Sequence, residues 1–526
     1  MEAENKEDKY HQYRYRDPSA PRNEQNIPGI WFSKRFNITV LLFLGYLMHG
    51  ITFQVTGISL ADMTTNRVIV NQTNNLTTMK PSEFQWDLKT EEIILSMFWI
   101  GFLLSICGGF VAQRYGGART LGISMMLTGI ILAMNPICAR IHVYLFALCQ
   151  LTTGVLQGFF LASTAEVFAC WMPMKERTVL MSFAINGIYV AAVVMHPFFS
   201  SLAYKWQWTM NFYVSGIVCF IWSIIWLIYV KNEPMKDKRI SDKEFEYIWQ
   251  ETGTLLRKRD IRPYEDILVS SSCWALFFCK FAFGWASAYT LSYLPLNYIK
   301  DVTNKQTNVE INQVYLILLI LDIINIFTIP ITGVLINFWL SRGDRIPFIT
   351  ELHKIIIAVV YIVTGFSFVV FALLIAHFSP SLICLLAIKP FLPYCQIILE
   401  MIPVHMAPNH SSLLSGFAVF WQTVGILCVQ TIIKGTVEDH RLEDWNICFQ
   451  LSAAVLVSSA LIFLCFGSSE PQPWSTISQS HDVVEGQRGQ YKELVKLSSK
   501  TNVSTSITTC CNMYEDQVSD LSISLT

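Results

Sequence analysis

The chain has 526 residues, of which 52% are hydrophobic and 15% charged, with a formal net charge of -1. So little charge excludes an ordinary soluble protein of this length, and a balance near zero gives no electrostatic footprint for nucleic acid. The apolar residues gather into runs of about 20, the length that crosses a hydrocarbon core, so the composition identifies a polytopic membrane protein.

Residues 1–36 are polar and lack the apolar core of a cleavable signal, and they are expected to form a cytosolic tail. Hydropathy then predicts six spans at 37–60, 91–112, 120–137, 142–168, 178–200 and 210–230. A polar stretch, 231–269, follows. Six more spans are expected at 270–295, 313–337, 353–377, 381–404, 411–434 and 446–467. The expected fold is therefore all-α and membrane-embedded. Twelve transmembrane helices form two pseudo-symmetric six-helix halves, 37–230 and 270–467. The Ser/Thr-rich tail, 468–526, is expected to be disordered and cytosolic.

Basic residues set the orientation. Lys34, Arg35, Arg114, Arg119, Lys175, Arg177, Arg342, Arg345 and Lys354 fall on one side, with the basic cluster of the central stretch. That side is expected to be cytosolic, together with both termini. The loop 61–90 then lies on the luminal or extracellular side. Its "NQT" at Asn71 and "NLT" at Asn75 are candidate glycosylation sites. In the central stretch, "SDKE" (Ser241–Glu244) has the pattern of a capping box before an amphipathic helix. The 14 cysteines fall mostly inside apolar spans and read as reduced packing residues.

A weak internal repeat links the halves. "GGFVAQRYGGAR" follows the second span and "TGVLINFWLSRGDR" occupies the equivalent place in the second half. The loop resembles the signature of the major facilitator superfamily, with Gln113 and Asn337 where that signature carries an acid. "FQWD", "MFWIGF", "CWMPMKER", "NFYVSG", "NEP" with "ISDKEFEYI", "APNHSSLLSG" and "EPQPW" occur in order between about residues 30 and 475. Together they resemble the anion:cation symporter family, solute carrier family 17, which includes sialin, the vesicular glutamate transporters and the type I sodium/phosphate cotransporters.

The resemblance implies a major facilitator fold around a central cavity and transport of anions driven by protons, sodium or membrane potential. It implies a plasma, lysosomal or vesicular membrane. The chain is also expected to be monomeric, with no cofactor and no metal. The family's arginines in helices one, four and seven fall here on Phe53, Gln150 and Phe283. Its helix-two histidine falls on Ile94 and its helix-four glutamate on Gln157. All five positions are uncharged. Gln150 and Gln157, about 20° short of two full turns apart, share one helix face.

The expected cavity is built from Phe53, Gln54, Gln150, Gln157, Lys280, Phe283 and Lys389. Lys280 reads as a displaced anion site, as the partner of a neighbouring acid, with Asp322 a candidate, or as a lysine snorkelling toward the cytosol. Asp322 and His49 are the candidates for proton or ion coupling. Glu400 is placed near the cytosolic end of helix ten, and Glu166 against a neighbouring helix or the cytosolic interface. Arg114, Arg119, Lys175, Glu176 and Arg177 are expected at a cytosolic gate.

Three functions fit these residues. The first is a secondary active transporter of a small organic or inorganic anion, working by alternating access with a coupling ion. The second is a transporter of a neutral or cationic solute in an amide-lined aromatic cavity. The third is a transport-inactive sensor or regulator on the same scaffold. No nucleophile constellation, metal cluster or phosphate loop points to an enzyme.

Overall fold

Apolar runs that cross a bilayer fold as helices because a helix satisfies its own N–H and C=O groups in hydrocarbon. The structure, a computed structural model, describes residues 29, 33–64, 67–70, 77–80, 82–252, 263–288, 311–342, 346–373, 391–436 and 442–475. The chain divides into two compact units, one formed by residues 21–472 and the other by 1–20 with 473–526. All elements described below belong to the first unit.

The first half comprises α1 (Lys34–Thr64), the strands β1 (Arg67–Val70) and β2 (Thr77–Lys80), α2 (Leu88–Phe102), α3 (Ser105–Tyr115), α4 (Gly117–Ile141), α5 (Val143–Trp171), α6 (Arg177–Ile185), α7 (Gly187–Lys205) and α8 (Trp208–Tyr229). Then come α9 (Asp242–Thr252) and the short α10 (Tyr264–Val269). The second half comprises α11 (Ser271–Ala288), α12 (Ile311–Arg342), α13 (Ile346–Leu373), α14 (Leu392–Met406), α15 (Ser411–Thr436) and α16 (Leu442–Phe466).

Every expected span holds a helix. The second is broken at Leu103–Leu104 into α2 and α3, and the fifth at Asn186 into α6 and α7. Counting each broken span once, 10 described helices are long and apolar enough to cross a membrane. The other two expected spans are held by α11 and α14, which carry Lys280 and Glu400.

The loop after α1 adds a short hairpin to the all-helical membrane fold. β1 and β2 pair antiparallel, from Arg67 opposite Lys80 to Val70 opposite Thr77. Asn71 and Asn75 fall between them in sequence and lie outside the described residues. α2 then starts at Asp87, whose carboxylate accepts from the Thr90 N–H and hydroxyl. The Thr90 hydroxyl holds the Asp87 carboxyl below its ordinary range.

Small residues set the helix crossings, as expected where lipid supplies no hydrophobic drive between helices. A methyl group at Gly187 of α7 would meet the Phe43 carbonyl of α1. In the second half, one at Gly425 of α15 would meet the Phe281 carbonyl of α11, and one at Gly284 would meet Gln422. The first and fifth spans of each half thus cross in the same way, which gives the sequence repeat a packing counterpart.

The basic face is held by buried charges. The Glu244 carboxylate accepts from the backbone N–H groups of Lys34 (3.1 Å) and Arg35 (2.9 Å), so a residue of α9 caps α1. Only half of the expected capping box forms. Ser241 Oγ accepts from the Glu244 N–H at 3.3 Å, but the Glu244 side chain is committed to α1. Arg35, with 0% exposure, donates to Glu176 at 2.8 Å and lies 5.0 Å from the centre of the Tyr247 ring. Burial, joined by the Glu176 charge, pushes the Tyr247 phenol above its ordinary value. Lys34 pairs with Asp237 at 2.8 Å.

Candidate functional site

A cavity of about 200 Å³ lies between the halves. α1 supplies His49, Phe53 and Gln54, α2 supplies Phe98, Trp99 and Phe102, and α7 supplies Tyr189. From the second half, α11 supplies Phe283 and Ser287, α12 Asp322 and Asn325, α14 Gln396 and Glu400, and α15 Gln422, Thr423 and Gln430. Five sequence candidates therefore meet here: His49, Phe53, Gln54, Phe283 and Asp322.

Gln150 and Gln157 are not among the lining residues, which corrects the expected cavity wall. Their face of α5 packs on α1 and α4. Thr56 Oγ1 donates to Gln150 Oε1 at 3.0 Å. Gln157 Nε2 donates to Thr128 Oγ1 at 3.1 Å, and Gln157 Oε1 lies 2.6 Å from His49 Nδ1. A buried amide cannot remain unbonded cheaply, and these hydroxyl and imidazole partners stand on the adjacent helices. The shared face turns both amides toward α1, where each meets its own partner.

The Gln157 contacts orient the histidine. The Thr128 hydroxyl donates to the Ser124 carbonyl at 2.9 Å, which leaves its oxygen to accept from Gln157 Nε2. Gln157 therefore offers Oε1 to His49, and Nδ1 carries the proton. In the neutral ring, Nε2 is then the basic nitrogen of a side chain that lines the cavity. The ring also stacks on Phe160, with centroids 5.7 Å apart and an interplanar angle of 11°.

Lys280 is corrected in both place and partner. It is not a lining residue, and Nζ meets Glu400 Oε1 at 2.5 Å rather than Asp322. Glu400 in turn lines the cavity instead of sitting at the cytosolic end of its helix. One signal could have found this pair: a lone acid and a lone base, each inside an apolar span, are expected to seek each other. Lys389 lies outside the described residues. Glu166 is buried beside Gly117 at the start of α4, against a neighbouring helix as expected.

The expected gate residues make contacts within the first half and α9. Lys175 pairs with Glu251 at 3.2 Å and Glu176 with Arg35. The Arg177 guanidinium donates to the Met172 carbonyl at 3.2 and 3.1 Å. Arg114 lies 5.9 Å from the centre of the Tyr115 ring, and the Arg119 N–H donates to Asn232.

Other residues make hydrogen bonds and an ion pair between the halves. On the basic face Gln113 bonds His410, and Ser105 Oγ donates to the Gly416 carbonyl at 3.0 Å. On the opposite face Lys434 pairs with Glu92 at 2.7 Å. Between them the Tyr189 hydroxyl donates to Gln396 at 2.5 Å, and Asn186 Nδ2 donates to the Ile326 carbonyl at 2.9 Å. Ile326 is four residues before Pro330, which has no N–H to offer it. Asn186, at its own helix break, supplies that donor from the other half.

The Major Facilitator Superfamily pattern matches residues 42–430. Sialin of Homo sapiens is 25% identical over 479 residues, covering 87% of this chain and 94% of sialin. Vesicular glutamate transporter 2 of Homo sapiens is 24% identical over 461 residues, covering 84% of this chain and 75% of the transporter. Among solved structures, a proton:xylose symporter matches with a TM-score of 0.61 at 15% identity, covering 85% of this chain and 98% of its own. The E. coli fucose:proton symporter matches with a TM-score of 0.57 at 12% identity, covering 81% and 98%.

Proposed function

The chain belongs to the Major Facilitator Superfamily and is a multi-pass membrane transporter, not an enzyme, and from that premise we propose that it carries a small organic solute bearing a positive charge. Solute passage is by alternating access, with the two halves rocking about the cavity between them. The observation that carries the substrate reading is the composition of the cavity wall. Its described residues include Asp322, Glu400, whose charge Lys280 partly offsets from behind the wall, and six aromatic side chains, with no Lys or Arg on the wall itself. Carboxylates and aromatic faces attract ammonium groups and offer an anion no charge complement. The volume fits a solute smaller than a typical drug molecule.

Asp322 and His49 are the coupling candidates within this reading, because each can change charge while lining the cavity. The gate on the basic face forms where α3 meets α15, while Lys175, Glu176 and Arg177 anchor the first half behind it. The basic loops and both termini face the cytosol. An anion is the second reading. A relative is named for glutamate, and Lys280 stands one residue behind the wall, available only if it leaves Glu400.

Uptake into proteoliposomes of small amines, neutral solutes and carboxylates decides between these readings, with pH and sodium gradients imposed separately. Amines are expected to accumulate. Uptake of a carboxylate that stops in Lys280→Ala would overturn the cationic reading.

A further inference from the structure

Glu400 presents its two oxygens to different surroundings. Oε1 is taken by Lys280, whose side chain has 0% exposure, while the Glu400 side chain keeps 12% and lines the cavity. Oε2 has no partner among the described residues. An ionised carboxylate has acceptor sites on both oxygens, so binding Lys280 on one leaves the other able to take a second N–H donor. The surroundings suit such a donor, because Tyr189, His49 and the Phe283 ring line the same cavity.

A bare carboxylate in this low-dielectric setting would hold an ammonium strongly. A lysine fixed on its far side cancels part of that field at the solute. Carriers need this balance, because a solute must bind on one side and leave on the other. Binding that is too strong stalls the cycle.

We propose that Glu400 Oε2 is the acceptor that anchors the ammonium of an amine solute, and that Lys280 on Oε1 is a positioning counter-ion that weakens this hold enough to permit release. The proposal rests on the cationic reading of the cavity, and its test separates the two.

The probes are three indoles of similar shape: tryptamine (cationic), tryptophol (neutral) and indole-3-acetate (anionic). Binding is measured on the full-length protein in nanodiscs at about pH 8, where carboxylate ionisation is favoured, and uptake in proteoliposomes. The unaltered protein is expected to prefer tryptamine to tryptophol. Glu400→Gln should lose that preference by about tenfold or more while still binding tryptophol. Lys280→Met should bind tryptamine about tenfold more tightly, with a lower KM and a lower turnover. Should Lys280→Met fail to fold, Lys280→Gln keeps a donor for Oε1 without its charge and carries the same test.

Unchanged or weaker tryptamine binding in the Lys280 variant, with the tryptamine preference of the unaltered protein intact, would overturn the role of Lys280 and leave the cationic reading standing. No preference for tryptamine over tryptophol in the unaltered protein overturns the cationic reading itself. So does a preference for indole-3-acetate that the Lys280 variant loses.

Discussion

The amides of α5 and the ion pair between α11 and α14 meet the same demand in different ways. Both place polar groups at depth in a membrane, where each must find a protein partner. Gln150 Oε1 and both ends of the Gln157 amide find theirs in hydroxyls and an imidazole of the same half, Gln150 Nε2 has none among the described residues, and neither side chain lines the cavity. Lys280 and Glu400 neutralise each other, and the pair still shows the cavity one carboxylate oxygen. A neutral group is held by hydrogen bonds alone, even with one donor left over, whereas a charge needs an opposite charge and stays useful after finding one. Divergence from the family's charges in the first half therefore does not leave the cavity without charge, because the second half carries it.

The largest test of this contrast removes Glu400. Glu400→Ala strands a buried lysine and is expected to cost about 3–5 kcal/mol, read by denaturation in detergent, together with loss of uptake. If that loss were no greater than for an α5 amide, the distinction between the two regions would collapse. Glu244→Ala comes next, since it uncaps α1 and removes a carboxylate from buried Arg35. About 1.5–3 kcal/mol is expected, with no change in solute preference.

Gln157→Leu should cost about 1–2 kcal/mol. It also frees the His49 ring from its fixed tautomer, so the pH dependence of uptake should shift while the tryptamine preference stays. A lost preference would place Gln157 in contact with solute and break the comparison. Asn186→Leu removes the donor to the carbonyl that Pro330 leaves open, costing about 1 kcal/mol. Because that bond joins the halves, turnover should change more than binding. Thr56→Val is the mildest, at about 0.6 kcal/mol, since Gln150 loses one neutral hydrogen bond.

Much of the architecture was legible in the residues. Span positions follow from hydropathy because hydrocarbon thickness dictates the length of any crossing helix. The family follows from ordered motifs such as "MFWIGF" and "CWMPMKER". Phe53, Gln54, Phe283, His49 and Asp322 were also identified as candidates, and they line the cavity. The hairpin of β1 and β2 was not foreseen, because Arg67–Val70 and Thr77–Lys80 are only four residues each, and the Asn-rich stretch between them is six residues long rather than a tight two-residue turn. Asn186 also carried no signal, since its role depends on a proline in a distant helix.

The sequence by itself determined that the chain is a transporter of this superfamily, and which helices carry polar groups. Hydropathy, spacing and motif order act along the chain and need no knowledge of what lies across it. Only the tertiary structure decided that Gln157 backs His49 and that Glu400, not Asp322, holds Lys280. Which neighbour a buried polar group meets depends on how helices far apart in sequence are rotated against one another, and their packing fixes that rotation.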